Sequence, residues 1–447
     1  MHRQHPAPAT RSSLAAAATP ENRDRFVDFI RAASILVVVL GHWTMAALEP
    51  GPAGGIRVRN ILEVTPSAHP LTWLFQVMPL FFFAAGFTNA LALRRSGVRA
   101  GSVIAGRVTR VLAPTAVFVA VWLVLAWALA AAGIAPALVD SAAAASAMPL
   151  WFLAVYLLLA LVAPAQHAVH HRAPWLLVAA LPLVALALDR LQGTGWAALG
   201  FLNYVVVFGF CQELGFLYAD GAVTRANRRV WALAVGGSIG MLWLLTVPGP
   251  YPVSMIGLPD QPVSNMFPPS VCVVVVAVLQ FSLLMLARPA LLRWLRRPGP
   301  WRATIVVNTL VMTLFLWHVT GLVLAAGTAH LAGVPLPEIG SLQWWLQKPV
   351  WLLAATAVTA LLVLAFHPVE RRVLASGRRP LPPAVTVLVA LPSVAGLTMV
   401  ACAGFAEPFT RGGVAIAGMT FSPAAGAALL GAALVLAQWP TRRGHRH

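Results

Sequence analysis

The chain has 447 residues, of which 59% are hydrophobic and only 10% charged, and its formal net charge is +18. A water-soluble protein of this size needs more polar surface to clothe its core, so a soluble globular fold is excluded. The basic excess sits in short clusters between apolar blocks, which excludes a nucleic-acid-binding face and fits topology signals and membrane-lipid headgroup contacts.

The apolar blocks are each long enough to cross a bilayer as a helix, and they lack the short alternating segments of a barrel. The predicted architecture is all-α, a polytopic transmembrane helix bundle of about twelve spans. They lie at roughly 27–48, 71–92, 111–133, 148–165, 175–190, 197–219, 230–248, 270–287, 303–327, 345–366, 382–403 and 412–438. Residues 1–25, rich in Ala, Pro and Arg and without an apolar run, read as a disordered cytoplasmic arm rather than a cleaved signal peptide.

An ionisable side chain inside a span is costly, so each one is a candidate site residue. The first span places Arg31 and His42 eleven positions apart. Eleven helical steps return to within about 20° of the start and climb about 16 Å, so both side chains share one face. That arrangement suits an anionic group held at the cytoplasmic end while its reactive end reaches His42. Asp28 falls near the same face and is placed to orient Arg31. The plainer reading is that Arg31 snorkels to headgroups and His42 makes an interhelical hydrogen bond.

The second span opens on Met78-Pro79-Leu80-Phe81-Phe82-Phe83-Ala84-Ala85-Gly86-Phe87. Ahead of the third, Arg107 and Arg110 stand three apart, on one face if helical, and can grip phosphates; the positive-inside tendency alone also accounts for them. His167, His170 and His171 fall in the connection after the fourth span and read as interfacial charge, not metal ligands. The fifth span is short and interrupted by Pro182, and the sixth carries Glu213, which is expected to pair with an arginine or to position a ligand in a supporting role. Gln280 and Asn308 read as interhelical hydrogen-bonding residues. The ninth span brings His318, as deep in its span as His42 is in the first, so two near-neutral bases sit at one level. Cys211, Cys272 and Cys402 show no metal or disulfide spacing, and no metal is expected.

Alternating the loops puts 26 of the 31 basic residues on one side, against Arg57, Arg59, Arg190, Lys348 and Arg411 on the other. This split predicts both termini in the cytoplasm. Two longer outer connections, about 49–70 and 249–269, are rich in Gly, Pro and Ser and suited to roofing a cavity.

Taken in order, these segments resemble the acyltransferase-3 family of integral-membrane O-acyltransferases. The likeness rests on Arg25-Phe-Val-Asp28-Phe-Ile-Arg31 with His42, and on the Met78–Phe87 segment with Ala85 where the family has Ser. Arg107-Val-Thr-Arg110 followed by Pro114, Pro149-Leu150-Trp151-Phe152-Leu153 and Phe315-Leu316-Trp317-His318 continue it. A Ser264-Asn265-Met266-x-Pro268-Pro269 segment resembles actinobacterial members.

The resemblance implies a ten-helix core over 26–380, with 381–447 as two accessory helices and a basic tail, in a bacterial plasma membrane. It further implies an acyl-CoA donor, in the simplest case acetyl-CoA, and as acceptor a hydroxyl of a carbohydrate, lipid-linked glycan or secondary metabolite. His42 is then the catalytic base, His318 its support, and Arg31, Arg107 and Arg110 contact the donor phosphates. The rival is a twelve-helix transporter of a small or lipid-linked substrate, which predicts related halves and broken midplane helices. The halves show no clear repeat.

Overall fold

The computed structural model describes residues 23–51, 56–95, 100–259, 261, 263–375, 383–405, 414–416 and 419–438. Most of the expected arm lies outside these residues, as do Arg3, Arg11, Arg99, Arg378, Arg379, Arg411, Arg442, Arg443 and Arg446 of the charge count.

The described chain is a helix bundle, and each expected span holds a helix. In order they are α1 (Arg25–Met45), α2 (Met78–Leu93), α3 (Ala100–Ala131), α4 (Pro136–Ala147), α5 (Leu150–Arg172), α6 (Pro174–Asp189) and α7 (Asn203–Ala219). Then follow α8 (Arg228–Thr246), α9 (Val271–Trp294), α10 (Pro298–Leu331), α11 (Leu342–Ala375), α12 (Pro383–Ala403) and α13 (Pro423–Gln438). Ten helices among the described residues are long and apolar enough to cross a membrane, and α6 and α13 are shorter apolar ones. Outward faces carry bare apolar side chains, such as Leu233, Trp243, Leu353 and Leu364 on α8 and α11, which only lipid can solvate at this density. The protein is a multi-pass membrane protein.

Three local departures from the sequence reading matter. The α4 helix, begun by Pro136 at its first turn, is an Ala-rich piece too short to span and was expected as a connection. The α3 helix starts eleven residues before the expected span, so Arg107 and Arg110 stand on a helix. The α5 helix likewise continues through Pro164 to Arg172 and stops ahead of Pro174, so His167, His170 and His171 are helical rather than in a loop. His167 and His170 are buried, which corrects their reading as interfacial charge.

Short helical turns at Ile61–Glu63, Pro66–Leu71, Thr72–Phe75 and Ala197–Leu202 and two small antiparallel hairpins lie between these helices. One joins β1 (Ala46–Pro50) to β2 (Ile56–Asn60) in register from Ala46–Asn60 to Pro50–Ile56; the other joins β3 (Val414–Ile416) to β4 (Met419–Phe421).

The core is aromatic and tightly crossed. Phe82 meets Phe208 at 4.3 Å between ring centroids, and Trp317 stacks on Phe366 at 3.9 Å. Helices α2 and α7 cross at two glycines. A Cβ on Gly86 would stand 2.2 Å from the Gln212 carbonyl oxygen, and one on Gly215 2.3 Å from that of Phe83. Close approach of backbones replaces the hydrophobic drive that is lacking between helices in lipid.

At the end opposite the arginine clusters, buried Asp189 ties the connections together. Its carboxylate accepts from Tyr251 Oη at 2.9 Å, the Val271 amide at 2.9 Å and Asn203 Nδ2 at 2.8 Å. Burial, then the Asp189 charge, push the Tyr251 phenol well above its ordinary pKa, so it stays a donor. Asn265 adds bonds to the carbonyls of Pro252 and Ser254 and accepts from Ser270. The 249–269 connection is thereby fixed as a roof.

Candidate active site

Helix α1 starts where Asp24 caps it, its side chain accepting from the amides of Phe26 and Val27 at 2.9 and 3.0 Å. One turn on, Asp28 pairs with both Arg23 and Arg31, the latter at 3.3 Å. Arg31 Nε also donates to Asn308 Oδ1 at 2.5 Å, while Asn308 Nδ2 donates to the Asp28 carbonyl at 2.8 Å. Asp28 and Asn308 therefore hold the guanidinium from two helices, α1 and α10, as the sequence reading expected of Asp28.

At the other end of α1, His42 Nδ1 lies 3.0 Å from His318 Nε2. His318 Nδ1 is 2.7 Å from the Phe315 carbonyl, which can only accept, so that nitrogen carries the proton. His318 Nε2 is then a lone pair, and it takes the Nδ1–H of His42. The tautomer this network assigns leaves His42 Nε2 as a free base. His318 is fully buried behind it, and Trp43 Nε1 donates to the His318 carbonyl at 2.9 Å, fixing α1 against α10.

Glu370 supports this pair from α11. Its carboxylate accepts from Thr313 Oγ1 at 2.5 Å and Trp317 Nε1 at 3.3 Å, pinning the turn of α10 that carries His318. Sequence reasoning missed it: Glu370 lies beyond the apolar block and beside Arg371 and Arg372, where an acid looks like loop. Its placement among buried groups is the signal that was absent from a one-dimensional reading.

Two cavities share walls near this level. One of about 430 Å³ reaches His42 and is closed above by Ile256, Met266 and Phe267 from the 249–269 connection and by Gln76 from the segment leading into α2; none of its lining among the described residues comes from the 49–70 connection. The other, about 180 Å³, holds Arg31, Arg107, Arg110 and Tyr156, and both are walled by Phe152 and Phe315. A third, about 420 Å³, continues past the same three arginines to Arg95 and Ser102. No carboxylate is among the described residues lining the two arginine cavities; Arg31 is held by Asp28 from outside them, while Arg107 and Arg110 face them as further donors to an anion. Ala85, the departure from the family pattern, lines the 180 Å³ cavity, and Trp151 and Phe152 line the larger one. The structure thus brings Arg31, Arg107 and Arg110 to one end of a path and His42, backed by His318, to the other, with the Phe152 and Phe315 rings, 5.2 Å apart between centroids, packed where the two cavities adjoin.

Glu213 stands apart. It is buried in α7 and takes His170 Nδ1 at 2.5 Å and Gln166 Nε2 at 3.0 Å, both from α5. His170 also reaches Asp220, which pairs with Arg94. Glu213 lines none of these three cavities and pairs with histidine rather than arginine. Gln280 donates to the carbonyls of Trp73 and Gln76, holding the segment that walls the His42 cavity.

Such a path can hold an anionic tail at the arginines and place a reactive atom beside an unprotonated imidazole. No curated protein and no solved structure matches this chain. Residues 24–367, from the cap of α1 into α11, match the family model described as an acyltransferase domain. That stretch holds every motif quoted above, so the chain belongs to the acyltransferase-3 family of membrane acyltransferases.

Proposed function

We propose that the protein transfers an acyl group from acyl-CoA, in the simplest case acetyl-CoA, to a hydroxyl of a carbohydrate, lipid-linked glycan or secondary metabolite. The observation that carries this reading is the 3.0 Å pairing of His42 with His318, at a roofed cavity that shares Phe152 and Phe315 with an arginine-lined one.

In this reading Arg31, Arg107 and Arg110 hold the phosphates of the donor, and its thiol arm reaches His42 once the Phe152 and Phe315 rings, packed 5.2 Å apart between centroids, part to admit it. The acceptor oxygen attacks the thioester carbonyl as His42 Nε2 takes its proton. The new imidazolium keeps its Nδ1–H on His318, a charge-assisted bond that strengthens as the proton arrives. The C–S bond then breaks, the thiolate recovers the proton from His42, and free CoA leaves. General-base help of this kind contributes about 10²–10⁴ in rate, and positioning of the two reactants contributes further.

The split of arginines supports a cytoplasmic donor end, and in this reading the membrane is a bacterial plasma membrane. Residues 26–380 form the catalytic core of this proposal, and the helices after 381 support it. Mass spectrometry of cell-surface glycans and metabolites tests the reading. A strain carrying His42→Ala loses the same acyl-bearing species as a deletion strain; an unchanged profile in both strains counts against it.

A further inference from the structure

The cavity above His42 is almost bare of hydrogen-bonding side chains. Among the described residues, no charged residue and no Asn, Ser or Thr lines it. Two of its polar groups are already engaged: Gln76 donates to the Met255 carbonyl at 3.3 Å and accepts from the Met78 amide, and the Tyr204 hydroxyl donates to the Met266 carbonyl at 3.3 Å. Beyond His42, the described lining adds as polar side chains the Trp151 indole and the Cys402 thiol. Its lip is apolar too, since Phe75, Met148 and Phe267 are 58, 41 and 47% exposed.

A free sugar buried here would strand several hydroxyls without partners, a loss that apolar contact does not recover. A volume of about 430 Å³ lies within the range that takes up a drug-sized molecule. One wall comes from Ala401 and Cys402 of α12, beyond the family-matched residues 24–367. That end of α12 is anchored: Phe405 stacks on Trp122 at 5.8 Å, and Trp122 Nε1 donates to Thr320 at 3.0 Å.

We propose that the acceptor is a lipophilic alcohol, which buries a hydrocarbon or aromatic body in this cavity and offers one hydroxyl to His42. Ala401 and Cys402 of α12 set how large that body can be. The proposal rests on the acyl-transfer reading for its chemistry: the alcohol oxygen gains the acyl carbon, its proton passes through His42, and the donor leaves as CoA thiol.

The test needs no turnover. Full-length protein in lipid nanodiscs is irradiated with a long-chain alcohol carrying a diazirine, and labelled peptides are mapped by mass spectrometry. Saturable labelling is expected on peptides holding Trp151, Met266 and Cys402. Excess cyclododecanol lowers it by about tenfold and excess glucose or N-acetylglucosamine leaves it unchanged. Ala401→Trp, which fills the cavity from the α12 side, lowers labelling at Trp151 and Met266. Labelling only on lipid-facing α8 and α11, or competition by the sugars, overturns the acceptor class. A fully active His42→Ala protein with labelling intact would instead overturn the catalytic assignment and leave the acceptor class standing.

Discussion

At the scale of single residues, burial cost separates function from decoration. Arg31, His42 and His318 were legible in the sequence because a membrane span tolerates such groups only at a cost. The same rule flagged Glu213, which pairs with His170 and Gln166 away from the cavities. Cost marks a residue as placed for a reason without saying which. What the sequence hid was partnership: Asn308 completing the hold on Arg31, and Glu370 steadying the turn beneath His318. Two substitutions test these roles. His318→Leu strips the acceptor from His42 Nδ1–H and is expected to lower kcat by about 10- to 100-fold with the donor KM little changed, whereas His318→Gln, which keeps an acceptor, loses less. Equal losses from Leu and Gln in steady-state kinetics would argue that His318 only fills space. Arg107→Ala is expected to raise the donor KM by about tenfold or more, the worth of one charge-assisted hydrogen bond. An unchanged donor KM would leave Arg107 as a topology signal.

At the scale of elements, helix positions followed from apolar length, while helix ends and roof did not. Blocks of apolar residues fix where lipid is crossed, but α3 and α5 continue beyond those blocks because their polar ends keep a helical backbone satisfied. The 249–269 connection that roofs the His42 cavity was recognisable only by length and composition. Its anchoring depends on Asp189, whose three partners come from distant positions. Asp189→Ala leaves those donors unpaired and is expected to destabilise the purified protein by about 1–3 kcal/mol, read as a lower melting temperature. Tyr251→Phe, which removes one partner and keeps the ring, is expected to cost about 1 kcal/mol. The α2–α7 crossing is stricter. Gly86→Leu drives a side chain into the Gln212 carbonyl and is expected to cost about 1–3 kcal/mol or more in the same assay. Wild-type melting of that variant would mean the helices cross elsewhere.

At the scale of the whole molecule, twelve apolar segments describe a transporter as readily as an enzyme. Family membership and the histidine pair distinguish them, and a pattern of motifs spread over 24–367 was readable before any helix was packed. The placing of the arginine cavities beside the His42 cavity was not readable, since it depends on Phe152 and Phe315 arriving from separate helices. Ligand linkage probes the arginine end. Coenzyme A at about a hundredfold over its Kd is expected to stabilise the detergent-purified protein by about 2.7 kcal/mol, and Arg107→Ala with Arg110→Ala to abolish the shift. The most direct measurement is acyl transfer from radiolabelled acetyl-CoA by wild-type and His42→Ala proteins in nanodiscs, with a lipophilic alcohol as acceptor. Base catalysis at His42 gives labelled ester with the wild type and a fall of about 10²–10⁴ in the variant, while coenzyme A still binds both. Ester formation at the wild-type rate by His42→Ala would contradict it.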